Sequence, residues 1–343
     1  MVTVNDISKA CNVSRITVIR ALNNHESVAE KTRKRVVNVS RQLGYAPNAI
    51  AKQLQSGRSR TIAVVLNKCV TAHIGKMLEG VQRELSENGY DSLTYEWGQL
   101  RDGSVPLARK IAQNRVEGVV MIQWSHDYEI DFFAELARYK ICVIAIDREA
   151  DYGGVKCVVY DDQQGAKLAI DYLVSMGHTE IGHIGGLPEH SSAKERLMGF
   201  YVSMAAHNLP VRSDWVIQGD YRYQGAVNTV ERFFEQNRDN LPTAIFAGSD
   251  VIGATIIQAA QRRGIRVPDD ISIVGFCDEV FAEFLTPALT TIRQHPYEVS
   301  KKGAEMIVGM IEAKYSGEEF ICPKKTVTPV SFVERDSVRR LSR

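Results

Sequence analysis

No apolar run in the sequence approaches the length of a bilayer crossing, about 20 residues, so a membrane-spanning helix is not expected. The first residues, MVTVNDISKA, lack the basic and then apolar stretches of a secretory leader, and the reading is cytoplasmic and nucleoid-associated, with no membrane partner. The six cysteines, Cys11, Cys69, Cys142, Cys157, Cys277 and Cys322, never stand at C-x-x-C spacing, which leaves reduced thiols rather than a zinc cage or a disulfide framework. Signatures of catalysis are missing too: there is no H-E-x-x-H, no G-x-S-x-G, no P-loop and no G-x-G-x-x-G after the first strand. The eight histidines show no metal-ligand spacing, and His178 and His183 read as turn and strand residues. No catalytic residue, metal or cofactor is expected, and the chain reads as a non-enzyme.

What is present is unevenly divided. The composition, 44% hydrophobic and 24% charged over 343 residues, is that of a globular protein of two or three folding units, and the net charge is only +1. Residues 1–60 nevertheless hold 11 Lys and Arg against 3 Asp and Glu, a net of +8 that leaves −7 for the rest. A small basic head on an acidic body points to a polyanion-binding module joined to something else.

In the head, TVNDISKACNVSRITVIRAL (3–22) reads as two short helices joined by a tight turn. Thr3 is placed to cap the first, with Asp6 as an acidic variant of a capping box, and Ile7, Ala10 and Cys11 give it an inner face. Asn12 falls where the turn needs a residue tolerant of the left-handed region. Ser14 caps the second helix, whose Thr17, Val18 and Leu22 lie at inward spacing. A third helix runs from Val28 to Leu43, with Val36, Val39 and Leu43 periodic and Gly44 ending it. This is a helix-turn-helix with a supporting helix. The second helix of such a unit enters the major groove N-terminus first, so Arg15 and Ile16 face base edges and Arg20 follows a turn later. Arginine bonds guanine bidentately, whereas Ile16 can only pack against a thymine methyl. The competing reading is a three-helix bundle with a solvated basic face. Beyond it, PNAIAKQLQSG (47–57) has a helix start at Pro47 and a stop at Gly57, with Ile50 and Leu54 forming a one-turn apolar stripe. A lone helix of that length is marginal in water.

From Thr61 onward short apolar runs alternate with helical stretches. The strands are TIAVVL (61–66), GVVMI (118–122), CVIAID (142–147), CVVYD (157–161), IGHIGG (181–186), TAIFAGS (243–249) and ISIVGF (271–276), with helices at 75–88, 163–176, 194–207 and 251–263. Near-continuous apolar strands argue a parallel sheet covered on both faces, hence a doubly wound α/β fold, here in two lobes with a cleft between them. Ligands bind outside the carboxyl ends of such strands. Asp147, Arg148, Asp161, Asp250 and Asp278 stand there, with Arg196 just inside the helix after HIGG, although any single Asp at a strand end is more often a helix cap or turn residue. Carboxylates and guanidinium groups converging on one crevice suit a ligand rich in hydroxyls, which both donate and accept.

Seven segments, TVNDISKACNVSRITVIRALN, LGYAPNAIAKQL, GHTEIGHIGG, ERLMGF, PTAIFAGSD, RVPDDISIVGF and TPALTTIRQ, occur in this order along the chain. On these the chain resembles the lactose-repressor/galactose-repressor (LacI/GalR) family of bacterial transcription regulators over almost its whole length. The resemblance implies an all-α helix-turn-helix DNA-binding headpiece (1–46), a hinge helix and linker (47–60), a two-lobed periplasmic-binding-protein-like effector domain (61–335) and a tail (336–343). The chain would cross between the lobes three times, giving an N-lobe of about 61–160 plus 292–321 and a C-lobe of about 162–290 plus 322–335. Also implied are a homodimer, with a tetramer left open, a pseudo-palindromic double-stranded DNA operator and a carbohydrate-like effector.

The resemblance puts operator contacts on Thr3, Ser14, Arg15, Ile16, Thr17, Arg20, Asn23 and Tyr45, and on Asn48, Ala51 and Leu54 of the hinge, where the leucine wedges between base steps in the minor groove. It puts the effector pocket on His73, Asp147, Arg148, His190, Ser192, Arg196, Tyr221, Asp250 and Asp278, with Arg196 and Asp278 carried by the firmest motifs. The chain departs from the family pattern at Ile19, Lys52 and Gln53, and between Asn67 and Ile74. Arg148, Arg196, His73 and His190 admit an anionic ligand, a sugar acid or sugar phosphate, beside a neutral sugar. The leading expectation is an effector-controlled repressor. A solute-binding protein for transport has no use for the basic head, and an enzyme of sugar metabolism would show turnover.

Overall fold

The computed structural model describes residues 2–45, 57–67, 71–97, 104–123, 129–150 and 152–341. The expected hinge helix, with Asn48, Ala51 and Leu54, lies outside the described residues. Contacts divide the chain into two units, Met1–Ser59 and Arg60–Arg343.

The first unit holds α1 (Val4–Cys11), α2 (Arg15–Leu22) and α3 (Glu30–Gln42). The Asp6 carboxylate accepts from the Thr3 N–H at 2.8 Å and from the Thr3 hydroxyl at 2.7 Å, and these bonds hold its pKa below the usual carboxylate value. Asn12 makes the turn at φ 47°, and Ser14 Oγ accepts from the Thr17 N–H at 3.1 Å. The core is small: Ile7, Cys11, Val18, Ala21, Val28 and Val36. Three inward expectations need correction. Ala10 is exposed, Thr17 is half-buried with Ala21 buried one turn on, and Leu43 is 41% exposed because the last turn of α3 projects past so small a core.

The second unit contains two parallel sheets. The N-lobe sheet is built from β1 (Thr61–Asn67), β2 (Asp91–Trp97), β3 (Gly118–Ile122), β4 (Cys142–Ile146), β5 (Lys156–Tyr160) and, from near the chain end, β11 (Lys325–Thr328), in the order β11-β5-β4-β3-β1-β2. The C-lobe sheet has β6 (Ile181–Gly185), β7 (Val216–Gln218), β8 (Ala244–Ala247) and β9 (Ser272–Val274), in the order β7-β6-β8-β9. β10 (Thr291–Arg293) and β12 (Ser331–Val333) form an antiparallel ribbon. The N-lobe helices are α4 (Ala72–Glu87), α5 (Val105–Gln113), α6 (Glu129–Arg138) and α11 (Pro296–Ser316). Those of the C-lobe are α7 (Asp162–Ser175), α8 (Ser191–Ala206), α9 (Tyr223–Gln236) and α10 (Asp250–Arg262).

Central strands are buried on both faces, with Ile62, Val64 and Ile144 toward one apolar layer and Ala63, Val65 and Ala145 toward the other. α4 and α11 lie close enough that a Cβ on Gly80 would stand 2.5 Å from the Tyr297 carbonyl oxygen. The chain leaves the N-lobe at Asp161, whose side chain accepts from the Gln164 N–H at 3.1 Å and so caps α7. It returns between β10 and α11, and leaves again between β11 and β12. The expected grouping of 322–335 with the C-lobe is corrected by this last passage: Lys325–Thr328 pairs in parallel with β5, and the Cys157 N–H donates to the Lys324 carbonyl at 2.8 Å. Among the described residues no helix is long and apolar enough to cross a membrane.

Candidate functional site

Two surfaces carry functional chemistry. In the first unit the Ser14 cap fixes where α2 begins, and Ser14 Oγ also lies 2.8 Å from Thr17 Oγ1. Residues placed just after such a cap project outward at the helix end, and Arg15, Ile16 and Arg20 are exposed, Ile16 by 61%. An isoleucine so exposed at the head of a helix presents a contact surface rather than a core side chain. Thr3 and Asn23 are exposed at the ends of α1 and α2, while Tyr45 is half-buried and packs against the three-helix core.

In the second unit a cleft of about 1100 Å³ opens between the two lobes. His73, Asp147, Arg148, His190, Ser192, Arg196, Tyr221 and Asp250 all line it. They come from the head of α4 and the end of β4 in the N-lobe, and from the ends of β6, β7 and β8 in the C-lobe. Asp278 does not line it. Its carboxylate is held between Arg293 and Arg335, 2.6 Å from each, and the neighbouring Cys277 lines the cleft instead. Both residues have positive φ, 115° at Cys277 and 56° at Asp278, so the backbone turns sharply and successive side chains part company. Gln123, Glu279 and Gln294 also line the cleft and were not anticipated. Gln123 stands after β3 where Asp147 stands after β4, a position the strand-end rule would have included.

Arg196 organises the C-lobe wall. Its Nε donates to Asp162 Oδ1 at 2.9 Å, its Nη1 donates to the Gly248 carbonyl at 2.7 Å, and its guanidinium lies 3.9 Å from the Phe276 ring centroid. Both partners of this ion pair are buried, and burial outweighs the arginine's influence to push Asp162 up to about 6. For Arg196, burial works against the charge, but Asp162 and Tyr221 more than offset it and the guanidinium stays charged. Asp250 is fully buried; it accepts from the Thr291 hydroxyl and, at 2.7 Å, from the Glu279 N–H, and burial raises it to about 7 against these bonds. On the N-lobe side Gln123 Nε2 donates to Asp147 Oδ2 at 2.7 Å. Burial lowers the pKa of His73 despite Asp147, and lowers that of Arg148. The Glu149 N–H reaches across to Ser191 Oγ at 3.4 Å, so the lobes touch at the rim.

His183 sits in β6 between the rings of Phe200 and Phe246, bonded to the Phe246 carbonyl and lowered to about 4 by burial, which makes it a neutral core residue. His178 bonds Thr243 and the Arg339 carbonyl, tying down the chain end. Among the described residues no group of three His, Cys, Asp or Glu side chains is arranged to hold a metal, and the described cysteines are free.

Comparison with known proteins agrees with this layout. Residues 3–48 match the family described as bacterial regulatory proteins, lacI family, and residues 170–338 match the periplasmic binding protein-like domain. The probable HTH-type transcriptional repressor ExuR of Bacillus subtilis is 30% identical over the whole of both chains. The HTH-type transcriptional repressor PurR of Klebsiella pneumoniae is 31% identical over 92% of each. Among solved structures, the lac repressor dimer bound to operator and the anti-inducer ONPF superposes with a TM-score of 0.83 at 21% identity, over 98% of this chain and 99% of that one. The transcriptional regulator CelR in complex with cellobiose gives 0.74 at 24% identity, over 98% and 100%. These likenesses extend the shared fold over the whole chain, and with a 30%-identical full-length repressor beside them, this chain belongs to the lacI family of bacterial transcriptional regulators.

Proposed function

We propose that the chain is a homodimeric repressor whose operator affinity is set by a polyhydroxylated small molecule, a sugar or sugar derivative, bound in the interlobe cleft. The observation that carries this reading is the convergence of acids, arginines and imidazoles from both lobes on one cleft of about 1100 Å³, a size suited to a small polar ligand. A ligand that bonds Asp147 and Arg148 on one lobe and Arg196 and Tyr221 on the other favours the arrangement in which the lobes approach, and it shifts the equilibrium by its differential affinity. The bound sugar of the CelR structure supports the ligand class, and the dimer on operator of the lac repressor structure supports the assembly. Arg15 and Arg20 are the base-reading side chains in this proposal, because they are exposed on the helix whose N-terminus Ser14 fixes.

The test begins with operator selection from random duplexes, followed by fluorescence anisotropy across salt concentrations. A palindromic preference is expected, with log affinity falling linearly against log salt by about 0.9 per phosphate neutralised. Arg15→Ala should cost about 1–3 kcal/mol and relax the preference at one base pair of each half-site. Adding the effector at about 100 times its Kd should raise the body's stability by about 2.7 kcal/mol and change operator affinity. No preference for any duplex over random DNA would sink the operator reading; a cleft ligand that leaves operator affinity untouched would sink the control.

A further inference from the structure

The helix α8 is apolar on its outer face as well as its inner one. Phe200 and Met204 are buried in the layer they share with Ile181 and Phe246. Gly199 brings the helix so close to α7 that a Cβ there would stand 2.7 Å from the Gln163 carbonyl oxygen. On the opposite side Met198, Tyr201, Val202 and Ala205 face solvent, the first three 53%, 42% and 57% exposed. They stand at i, i+3, i+4 and i+7, a single stripe about 10 Å long. Lys194, one turn earlier, continues the row and is exposed.

The outside of α4 shows how a helix of this protein meets water. Lys76 pairs with Glu79 at 2.8 Å and Arg83 with Glu87 at 3.0 Å, all on the solvent side. A helix that is apolar all round is ordinarily a buried one, and four adjoining apolar side chains left in water mark a contact surface.

The occupant that fits is a second copy of the same face. With a two-fold axis passing between Tyr201 and Val202, two α8 helices run antiparallel and each longer side chain meets a shorter one: Met198 against Ala205, and Tyr201 against Val202, of the second copy. Charge favours the same register. Lys194 comes to lie beside the C-terminal end of the opposing helix, where carbonyl groups carry partial negative charge, whereas a parallel pairing sets the two lysines side by side. The flank of the stripe is balanced in sign: Gln163 bonds Glu195, and Asp171 is shared by Lys167 and His207. It therefore neither repels a copy nor offers the basic rim that a lipid surface selects. Four side chains make the core of a contact smaller than the roughly 800 Å² per partner of a stable interface. A homodimer carries the face twice, and two such contacts acting together hold what one holds weakly.

We infer that the outer face of α8 is a self-contact that joins two homodimers into a tetramer. The unit it joins is the homodimer of the proposed function, and the contact lies outside the effector cleft. A tetramer built this way presents two pairs of headpieces and can hold two operators of one DNA at once.

Sedimentation velocity of the full-length protein, from submicromolar concentration to about 100 μM, tests it. The expected result is a dimer that passes to a tetramer as concentration rises. Val202→Lys, at an exposed position, should raise the dimer–tetramer dissociation constant at least tenfold, with melting temperature and affinity for a single operator as in the wild type. The register is read by mixing dimers of Met198→Cys with dimers of Ala205→Cys under oxidation. A disulfide-linked pair of chains should form in the mixture and in neither variant alone, above the background of the wild-type cysteines. A wild type that stays dimeric throughout overturns the contact. A tetramer that survives Val202→Lys overturns its placement on α8, and linkage of Met198→Cys to itself overturns the antiparallel register. A monomer in Val202→Lys would make α8 the dimer contact and overturns the joining of dimers. A monomeric wild type overturns the homodimer reading and this inference with it.

Discussion

Removing the Asp162 carboxylate while leaving Arg196 in place probes the architecture beneath the cleft. The two side chains are 5% and 4% exposed and lie 2.9 Å apart, so neither can turn to solvent without opening the lobe. They are not equivalent partners. Asp162 already sits near 6 because burial disfavours its charge; without the arginine that neutralises it, it is pushed higher and survives burial at neutral pH as the uncharged acid. Arg196 has no such exit, because a guanidinium stays protonated. Breaking a buried pair by removing one partner costs about 3–5 kcal/mol, and this asymmetry puts Asp162→Ala at the upper end and Arg196→Met at the lower. At about 2–4 °C per kcal/mol for large units, Asp162→Ala should lower the melting temperature of the body by roughly 8–20 °C. Calorimetry and urea unfolding of the wild type, the two single variants and the double variant complete a cycle. The double variant should be more stable than Asp162→Ala alone, since the stranded charge is gone. A loss below about 1 kcal/mol in Asp162→Ala, or a double variant worse than the sum of the singles, would refute the reasoning.

Three further outcomes are expected. Burial raises the folded pKa of Asp250 to about 7 from an ordinary 3.8, so the native state keeps a proton the unfolded chain has lost; its contribution is greatest below 3.8 and falls as pH rises to 7. Urea midpoints measured from pH 4.5 to 8 should decline over that window, with Asp162 adding to the slope up to about 6, and Asp250→Asn should flatten the upper part; an unchanged profile would show that Asp250 does not titrate there. Ser14→Ala should destabilise the headpiece by about 1 kcal/mol, read as faster amide exchange at Thr17 together with weaker operator binding, and unaltered exchange would remove the cap from the account. Asp278→Ala releases Arg293 and Arg335 and should cost about 1–3 kcal/mol of stability with ligand affinity within twofold of wild type; lost ligand binding at unchanged stability would return Asp278 to the cleft.

The sequence displayed most clearly whatever is decided locally or by burial on two faces. Asn12 and Ser14 mark the turn of the headpiece by their own backbone and side-chain chemistry, and β1, β3 and β4 announce themselves as apolar runs because helices cover both sides. β2 and β11 escaped notice for the converse reason. DSLTYEW and KTVT are edge strands, half in water, and need no continuous apolar character. In the cleft, the ends of the strands marked out the neighbourhood, and eight of the nine expected residues meet there. Which side chain of a strand-end pair turns inward depends on φ, and nothing in C-D-E shows that Cys277 and Asp278 both adopt left-handed backbone. Gln294 closes the TPALTTIRQ segment, but an amide carries no charge or periodic signature that would place it in the cleft; the burial of its nitrogen without a partner does that.

The late return of the chain to the N-lobe also sets an order of events during synthesis. The buried headpiece core runs from position 7 to 36, with packing from Val2 to Tyr45 around it, and can close soon after leaving the ribosome. The inner layer of the N-lobe waits for Val299, Ala304, Met306, Ile307, Val308 and Ile311, and the sheet gains β11 only with residues 325–328. A message broken near codon 290 would therefore yield a DNA-reading head on a body that cannot complete its first lobe. The topology therefore penalises early termination, because only a chain translated past residue 328 can complete the sheet behind one wall of the cleft.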